Sequence, residues 1–523
     1  MKQNKSFLNI GNLLLLLAVL VALNILAGRV FFRWDVSEGQ LFTLSDYSRE
    51  VVSNLSDPVT VKAYFSRNLG QYNNVRQYVK DKLADYRSYS HGNFTFELID
   101  PGDDDEALRQ EAAGFGVQPI QMQTLENDKL EVKLVWMGLV FLYGDKKETI
   151  PAVQQIDNLE YDITSLIRRL TEPTPTRIGI LQGHGEPGLD DRLSMFQEVL
   201  SKNYYLEPVD LTTVHHIDTG LHALLLISPN QLFTAGDKAL LDEYFMGGGR
   251  LGIFTNSVET DMQTQQGTAR VLGLEDLLSA WGVSVRNNLV MDQQAGMVQV
   301  RMGGQGLMSM FPVSMQYPFF PRVTGFNREL SISKGVEAAQ LFFPSSLDTS
   351  LASRAGIKVE PFAWSGANTQ VMTNRYELGI RQQYTAADFP DGRQLFGAAF
   401  SGSFPSGQHE AALLDSMSIN LPAASPENRL AVCGDGYFVM NDFLGQRQLA
   451  NLELAQNIVD WLVQDEGLIN IRSKVVTDRP LTEISAGSRN VIKWLNILGT
   501  PVLLVLFGMI RWQMKRTRRK QEL

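Results

Sequence analysis

Residues 223–256 read ALLLISPNQLFTAGDKALLDEYFMGGGRLGIFTN, and this stretch decides the fold class. The apolar run 223–228 has the length and composition of a buried strand. Thr234 and Asp237 have the spacing of a capping box at the start of the helix that follows, and the glycines after that helix suit its end. A second predicted strand, RLGIFTN at 250–256, comes directly afterwards. The stretch therefore predicts a strand–helix–strand unit of a parallel sheet.

The same alternation continues in both directions along the chain. Residues 176–182 and 190–203 predict a strand and a helix on the N-terminal side, and residues 428–439 and 451–463 predict another pair on the C-terminal side. Strands that alternate with helices are typical of parallel sheets with helices on both faces. We therefore expect a doubly wound, flavodoxin-like α/β domain over residues 176–470.

The alternation fades over residues 285–425, where runs rich in Met, Gly and aromatic residues predict a β-rich insertion. Within it, residues 311–323 read FPVSMQYPFFPRV. If these aromatic side chains are exposed, they suit the binding of polysaccharide or of another envelope protein; if they are buried, they are ordinary core. A role as an envelope scaffold is therefore one alternative function.

Residues 36–172 contain a second alternating pattern, in the order strand, helix, strand, helix, strand, strand, helix. This order resembles a thioredoxin-like domain, and Pro119 stands where that fold often keeps a cis proline. The redox chemistry of that fold needs a Cys-x-x-Cys pair, whereas Cys433 is the only cysteine in the sequence. We therefore expect a thioredoxin-like scaffold that serves packing or binding, with Pro173 and Pro175 marking its end.

Two apolar stretches near the ends of the sequence predict transmembrane helices. Residues 7–28 carry no charge and residues 491–510 carry only Lys493, and each is long enough to cross a hydrocarbon core of about 30 Å. The basic residues at 511–523 are typical of a cytoplasmic flank. We therefore expect both termini in the cytoplasm and the main body on the extracytoplasmic side of a bacterial inner membrane. A cleaved signal peptide is the alternative for the first span, although its uncharged run is longer than usual for such peptides.

The part between the two spans is strongly acidic. The net charge of the sequence is −10; residues 1–28 contribute +2 and residues 491–523 contribute +6, so the part between them carries −18. Nucleic-acid binding requires phosphate neutralisation by Lys and Arg, and this charge argues against it. The basic tail is better suited to contact with anionic lipid.

Polar side chains follow four of the predicted strands, at the point where each strand ends. In a parallel sheet those ends share one edge, which is where ligands bind. The candidate ligand-binding or partner-binding residues are His184 and Glu186 in GHGEP, Asn230 in SPNQ, Asn256 and Glu259 in TNSVE, and Asp435 in GDGYF. The alternative for GHGEP is a structural turn, because its glycines permit tight turning and its glutamate suits the start of the following helix.

The sequence argues against catalysis by a nucleophile or a metal. It contains no G-x-S-x-G elbow, and Cys433 lies in an apolar strand, where a thiol is usually inert. His215, His216 and His222 lack the spacing of a zinc motif, and the glycines at 247–249 lack the Lys-Ser/Thr of a phosphate-binding loop. We therefore expect no catalytic residue, no cofactor and no metal.

An enzyme remains the second alternative function. A membrane-tethered hydrolase would use His184 and Glu186 as its acid–base pair. This hypothesis predicts that His184→Ala abolishes activity and leaves folding intact.

Five segments and the basic tail also occur together in a recognisable order. The segments are DVSEGQLFTLSDYSREVVSNLSDPVTVKAYFS (35–66), ILQGHGEP (180–187), the stretch 224–256, LAVCGDGYFVMND (430–442) and NIVDWLVQDEGLINIRSK (457–474). Together they resemble the auxiliary component of gliding-motility-type ABC transporters, often called GldG-like. The resemblance covers most of the chain outside residues 285–425.

This resemblance implies a non-catalytic subunit that binds substrate or a partner and works with an ABC permease and an ATP-binding subunit on separate chains. It also implies a central domain similar to class I glutamine amidotransferase-like folds without their cysteine nucleophile. The sequence departs from the family at Thr255, Asn256 and Ser257, where an aspartate–proline is usual, which weakens a ligand role for that loop. Membrane helices that contact the permease and outer domains that receive or gate cargo are then expected.

Overall fold

The computed structural model describes residues 43–472, apart from short internal gaps, together with residues 493 and 508–509. The gaps are 68, 70–72, 103–104, 127–128, 154–155, 157, 173, 302–311, 381, 383, 408, 446–448 and 465. The predicted span 7–28, nearly all of the predicted span 491–510 and the basic tail lie outside the described residues. Within the described residues, no helix combines the length and the apolar character needed to cross a bilayer.

The described residues of the compact unit Met1–Val475 form a mixed α/β protein with several sheets, which confirms the predicted α/β class. The N-terminal strands are β1 Val59–Phe65, β2 Phe94–Ile99, β3 Ile120–Glu126, β4 Lys129–Val135, β5 Met137–Tyr143 and β6 Lys146–Ile150. The helices that accompany them are α1 Asp46–Ser53, α2 Asn73–Tyr89, α3 Glu106–Gly114 and α4 Leu159–Thr171.

The N-terminal sheet has four strands among the described residues, in the order β2-β1-β5-β6. Strands β1 and β2 are parallel, and β5 is antiparallel to both β1 and β6. Strands β3 and β4 form a separate hairpin between α3 and β5, which the sequence did not predict. The core of this sheet is apolar and closed, with Val61, Leu83 and Ile163 fully buried. The peptide bond before Pro119 is trans, unlike the cis proline that the thioredoxin resemblance suggested.

Eighteen more strands follow in the described part of the chain. They are β7 Arg177–Gln182, β8 Tyr205–Asp210, β9 Ala223–Ile227, β10 Arg250–Phe254, β11 Val258–Asp261, β12 Gln266–Ala269, β13 Ser284–Val285, β14 Leu289–Asp292, β15 Ala295–Arg301, β16 Pro312–Val323, β17 Gly325–Phe326, β18 Ala339–Gln340, β19 Leu347–Asp348, β20 Lys358–Trp364, β21 Thr369–Met372, β22 Tyr376–Glu377, β23 Leu395–Gly402 and β24 Asn428–Cys433. The helices are α5 Ser194–Leu200, α6 Ala235–Met246, α7 Glu275–Ala280, α8 Ala352–Ala355, α9 Ala411–Met417, α10 Leu449–Leu462 and α11 Glu466–Arg472.

The large sheet has eight strands in the described part of the chain, in the order β8-β7-β9-β10-β24-β23-β20-β17. Strands β8, β7, β9, β10 and β24 run parallel to one another. Strands β23, β20 and β17 continue the sheet with antiparallel pairing. Strand β7 lies between β8 and β9, so the chain reverses its direction across the sheet at this position.

Helices cover both faces of the parallel half. On one face, α5 and α10 bury apolar side chains such as Phe196 and Ile458 against the strands. On the other face, α6 and α7 bury Phe245 and Leu277. The packing follows from the period of the apolar residues in each helix, and full burial of one such side chain contributes about 1.5–3 kcal/mol.

Strands from residues 285–425 have two different roles. Of the described strands, β17, β20 and β23 enlarge the main sheet. The others belong to small sheets, namely β13, β14, β15, β16, β18, β19, β21 and β22. Residues 312–323 of the aromatic segment form β16, in which Tyr317 and Phe319 are buried and pack against Phe343. The exposed aromatic surface that a scaffold role requires is therefore not formed by these two side chains.

Candidate binding site at the carboxyl edge of the large sheet

The loops that follow β7, β9, β10 and β24 lie at the same edge of the large sheet, because these strands are parallel and adjacent. In open parallel sheets, ligands bind outside this edge, at the place where the strand order reverses. Here that place is between β7 and β9. The six candidate residues divide into groups with different surroundings.

The turn after β7 is held against the loop after β9. The backbone oxygen of His184 accepts hydrogen bonds from the backbone nitrogens of Asn230 and Gln231, at 2.9 and 3.0 Å. Gly183 and Gly185 have φ angles of 107° and 78°, which side chains rarely adopt. A Cβ atom at Gly185 would also overlap the side-chain amide of Asn230. The glycines therefore allow the two loops to meet at the reversal point.

The imidazole of His184 is buried and fixed. Its Nε2 lies 3.1 Å from Oδ2 of Asp237, and its ring stacks on Phe233 with a centroid distance of 3.9 Å and an interplanar angle of 6°. Asp237 also closes the capping box of α6 with Thr234, as the sequence predicted. The imidazole thus connects the turn after β7 to the start of α6. Its Nδ1 has no hydrogen-bond partner among the described residues.

Glu186 folds back onto its own turn. Its Oε2 accepts a hydrogen bond from the backbone nitrogen of His184 at 2.7 Å, whereas its buried Oε1 has no partner in the described part of the chain. Burial raises the pKa of the Glu186 carboxyl, and backbone hydrogen bonds oppose this rise. A buried polar atom without a partner costs about 1–3 kcal/mol. Oε1 of Glu186 and Nδ1 of His184 are therefore sites where a ligand or water would be stabilising.

The side chains of Asn256 and Asp435 form a buried hydrogen-bonded pair. The Asn256 amide donates to Oδ1 of Asp435 at 3.2 Å and to the backbone oxygens of Phe342 and Phe343 at 3.1 and 2.9 Å. The carboxylate of Asp435 accepts from the backbone nitrogens of Phe342 and Tyr437, both at 2.7 Å. Both side chains are fully buried, and burial raises the pKa of Asp435 to about 7. These two candidates hold the loops after β10 and β24 to the segment around Phe342.

Glu259 is separate from the other candidates. It is exposed on β11, opposite Thr268 in the hairpin of β11 and β12. Among the described residues, no hydrogen bond or ion pair joins it to the other five candidates. The structure therefore brings together His184, Glu186 and Asn230, and separately Asn256 and Asp435.

Arg270 was not predicted, although it links three of the four loops. Its Nη1 donates to Oγ of Ser228 at 3.3 Å and to the backbone oxygen of Pro229 at 3.0 Å, and its Nη2 donates to the hydroxyl of Tyr437 at 2.9 Å. Its backbone nitrogen donates to the oxygen of Ser257 at 2.8 Å. All of these partners except Ser257 are far from it in sequence, so no local pattern could identify it.

Among the described residues, no nucleophile is hydrogen-bonded to the His184 ring. Acyl transfer needs a hydroxyl or thiol within hydrogen-bond reach of the histidine, and in the described part of the chain the only recorded partner of the His184 ring nitrogens is Asp237. Cys433 is buried inside β24, and burial raises the pKa of its thiol. The described residues contain no cluster of three or more side chains that could hold a metal ion.

Comparisons with known proteins add a family. Residues 175–464 match the family described as an ABC-type uncharacterized transport system, and residues 38–142 match a domain of unknown function. An uncharacterized protein of Borreliella burgdorferi is 21% identical over 499 residues, which cover 93% of this chain and 94% of that protein. Among solved structures, the mmIFT52 N-terminal domain matches 55% of this chain and 97% of its own, with 15% identity and a TM-score of 0.33.

Proposed function

Since the chain belongs to the family of ABC-type transport-system auxiliary proteins, we propose that it is a non-catalytic subunit of an ABC transporter complex. The observation that carries this proposal is the family match over residues 175–464, which includes every parallel strand of the large sheet and its carboxyl edge. The permease and the ATP-binding subunit are separate chains in this proposal. The gliding-motility-type branch of the family is the finer assignment, and the segments quoted above support it.

The proposed contact surface is the carboxyl edge itself. Two large apolar side chains are exposed there, Leu232 at 61% and Val271 at 68%. Leu232 follows β9 and Val271 follows Arg270, and a Cβ atom at Gly273 would lie 2.9 Å from Leu232. Exposed apolar side chains beside polar loops are typical of surfaces that receive a substrate or a partner.

The proposed fold assignments follow the strand orders. The order β8-β7-β9-β10-β24 supports a doubly wound, flavodoxin-like or amidotransferase-like sheet, and the order β2-β1-β5-β6 supports a thioredoxin-like sheet without its redox pair. Neither fold implies a function by itself. Both would serve here as rigid supports for the contact surface.

The proposed location is the extracytoplasmic side of a bacterial inner membrane, with the spans 7–28 and 491–510 and both termini in the cytoplasm. The basic residues at 511–523 support this orientation. Protease added to the cytoplasmic side of sealed vesicles should leave the part between the spans intact. Digestion of that part from the cytoplasmic side would show that the orientation is wrong.

Affinity purification of the tagged, membrane-extracted chain tests the transporter role. We expect an ABC permease and its ATP-binding subunit to co-purify. The double variant Leu232→Asp/Val271→Asp should lose most of this recovery, because it places two charges on the proposed contact surface. Leu134→Asp is the matched control, since Leu134 is also exposed, at 50%, but lies on β4.

Recovery of neither transporter subunit with the wild-type chain would contradict the role. Equal recovery with the double variant and with the control would leave the role intact and show that the contact surface lies elsewhere.

A further inference from the structure

A buried arginine at the carboxyl edge lacks a negative partner. Arg270 is 9% exposed, and no carboxylate of the described residues lies within ion-pair distance of it. The acceptors that it does have are neutral: a hydroxyl of Ser228, a backbone oxygen of Pro229 and the hydroxyl of Tyr437. An arginine stays protonated in proteins, so this positive charge persists in the folded state. Buried charges are normally paired, because an unpaired one is costly.

The hydrogen bonds of Arg270 also leave donors unused. A guanidinium group has five N–H donors. The described acceptors use both N–H donors of Nη1 and one N–H donor of Nη2, and Nε has no partner in the described part of the chain. Nε and Nη2 form one edge of the planar group, and such an edge binds a carboxylate or phosphate through two parallel hydrogen bonds.

A small cavity opens beside this arginine. Its volume is about 40 Å³, whereas a single water needs about 10–15 Å³ on the same measure, so a compact group larger than one water fits. Its polar lining includes Arg270 and Asn256, and its apolar lining includes Leu272, Leu274 and Leu278. A ligand would therefore present a small polar group to the arginine and an apolar substituent to the leucines.

Glu275, the other charged residue at the cavity, affects which anions can bind there. Glu275 also lines the cavity, is exposed, and forms no ion pair with Arg270 within the described residues. Its carboxylate repels a dianionic phosphate more than a singly charged group. The apolar wall likewise favours an organic acid over a free inorganic ion.

We propose that Arg270 binds the carboxylate of a ligand with a short branched apolar substituent, in the cavity at the carboxyl ends of β9 and β10. The carboxylate belongs either to a free organic acid or to the C terminus of a peptide that ends in an aliphatic residue. Binding completes the hydrogen bonds of the guanidinium and neutralises its charge. The site is independent of the transporter role, because it needs no second protein chain.

Calorimetric titration of the full chain in detergent tests this site. The probes are isovalerate, its neutral counterpart isovaleramide, inorganic phosphate, and a short peptide ending in valine with a free or an amidated C terminus. We expect isovalerate to bind at least about tenfold more tightly than isovaleramide and more tightly than phosphate. If the free-acid peptide binds more tightly than both its amide and isovalerate, the carboxylate belongs to a peptide. If isovalerate binds more tightly than the free-acid peptide, the carboxylate belongs to a free acid.

Two variants assign the binding to Arg270. Arg270→Gln and Arg270→Lys should each weaken isovalerate at least about tenfold, because glutamine removes the charge and lysine removes the planar fork. Arg286→Gln should bind normally, since Arg286 is exposed and already paired with Asp348 at 3.0 Å. Equal binding of isovalerate and isovaleramide by the wild-type chain, unchanged binding by folded Arg270→Lys, or a preference for phosphate would each overturn the proposal. The comparison of isovalerate with isovaleramide on the wild-type chain tests the proposal even if neither Arg270 variant folds.

Discussion

The imidazole of His184 is a structural group at the carboxyl edge, because its ring is stacked on Phe233 and hydrogen-bonded to Asp237. We expect His184→Ala to lower the free energy of unfolding by about 2–4 kcal/mol, since it removes a buried ring and its hydrogen bond. Denaturant unfolding followed by tryptophan fluorescence measures this change. His215→Ala is the control, because His215 is exposed, and should change stability by less than about 0.5 kcal/mol.

The same pair of variants separates a binding subunit from the hydrolase alternative. A hydrolase that uses His184 as its acid or base would lose activity in a variant that remains as stable as the wild type. A stable His184→Ala protein would therefore contradict the structural role of the ring.

Asp435 makes stability depend on pH. Burial raises its pKa to about 7 in the folded protein, against an ordinary value of 3.8 for an aspartate side chain, so the folded state binds the proton more tightly than the unfolded state does. Its contribution to stability is therefore fully present below about pH 4 and falls as the pH rises through about 7. In Asp435→Asn this fall should disappear, although the overall stability is lower because the amide places a donor against the backbone nitrogen of Phe342.

Thermal unfolding of the wild type and of Asp435→Asn between pH 5 and 8 measures how steeply the stability of each protein falls with pH. Asp388→Asn is the control, because hydrogen bonds from Thr385 lower the pKa of Asp388 and its titration lies below this window. Parallel pH profiles for the wild type and Asp435→Asn would show that Asp435 does not titrate there.

At the level of elements, local signals predicted local structure well. The run 223–228 became β9, residues 451–463 became α10 within two residues at each end, and the capping box of Thr234 and Asp237 is present. These features depend on apolar period and on side chains three residues apart, which a single sequence displays. The turn around His184 could be singled out as a candidate for the same reason, because its glycines and polar residues are adjacent in the sequence.

Non-local pairing was not predicted. Strands β17, β20 and β23 extend the large sheet, yet β23 pairs with a strand that begins 26 residues after it ends, and β17 has only two residues. Arg270 was missed for the same reason, because three of its partners lie 41, 42 and 167 residues away. Hydrogen bonds of this range leave no spacing pattern in the sequence.

The packing of β23 against β20 yields a prediction for these added strands. A Cβ atom at Gly397 would overlap the ring of Phe362, which is fully buried on the neighbouring strand. We expect Gly397→Ala to lower the free energy of unfolding by about 1–3 kcal/mol through overpacking. Gly392→Ala is the matched control, because nothing lies within 4 Å of its added methyl group. Equal stability of the two variants in denaturant unfolding would show that the added strands pack loosely.

At the scale of the whole compact unit, a buried polar network joins the N-terminal part to the large sheet. Nη2 of Arg472 in α11 donates to Oδ2 of Asp460 in α10 at 2.9 Å, and the hydroxyl of Tyr204 donates to Oδ1 at 2.6 Å. The guanidinium also lies 5.2 Å from the ring centroid of Tyr161 in α4, which follows the N-terminal sheet in sequence. One arginine therefore contacts helices from both parts of the unit.

Removal of the Arg472 side chain should weaken the contact between the two parts of the unit. The resulting loss of stability should depend on pH. Burial raises the pKa of Asp460 and Arg472 lowers it, so Arg472→Met leaves a buried carboxylate without its cation. We expect a loss of about 3–5 kcal/mol in the free energy of unfolding at neutral pH. The loss should shrink as the pH falls, because the raised pKa lets Asp460 become neutral in the folded state.

Arg375→Met is the control, because Arg375 is exposed and paired at the surface with Glu377 at 2.8 Å, where such pairs contribute about 0–1 kcal/mol. The double variant Arg472→Met/Asp460→Leu should recover part of the loss, since the buried carboxylate of Asp460 is removed together with its cation. The hydroxyl of Tyr204 then loses its acceptor, and Oδ1 of Asn457 loses its donor. If the double variant is less stable than Arg472→Met alone, Asp460 stabilises the unit through Tyr204 more than through Arg472. The network would then not connect the N-terminal part to the large sheet.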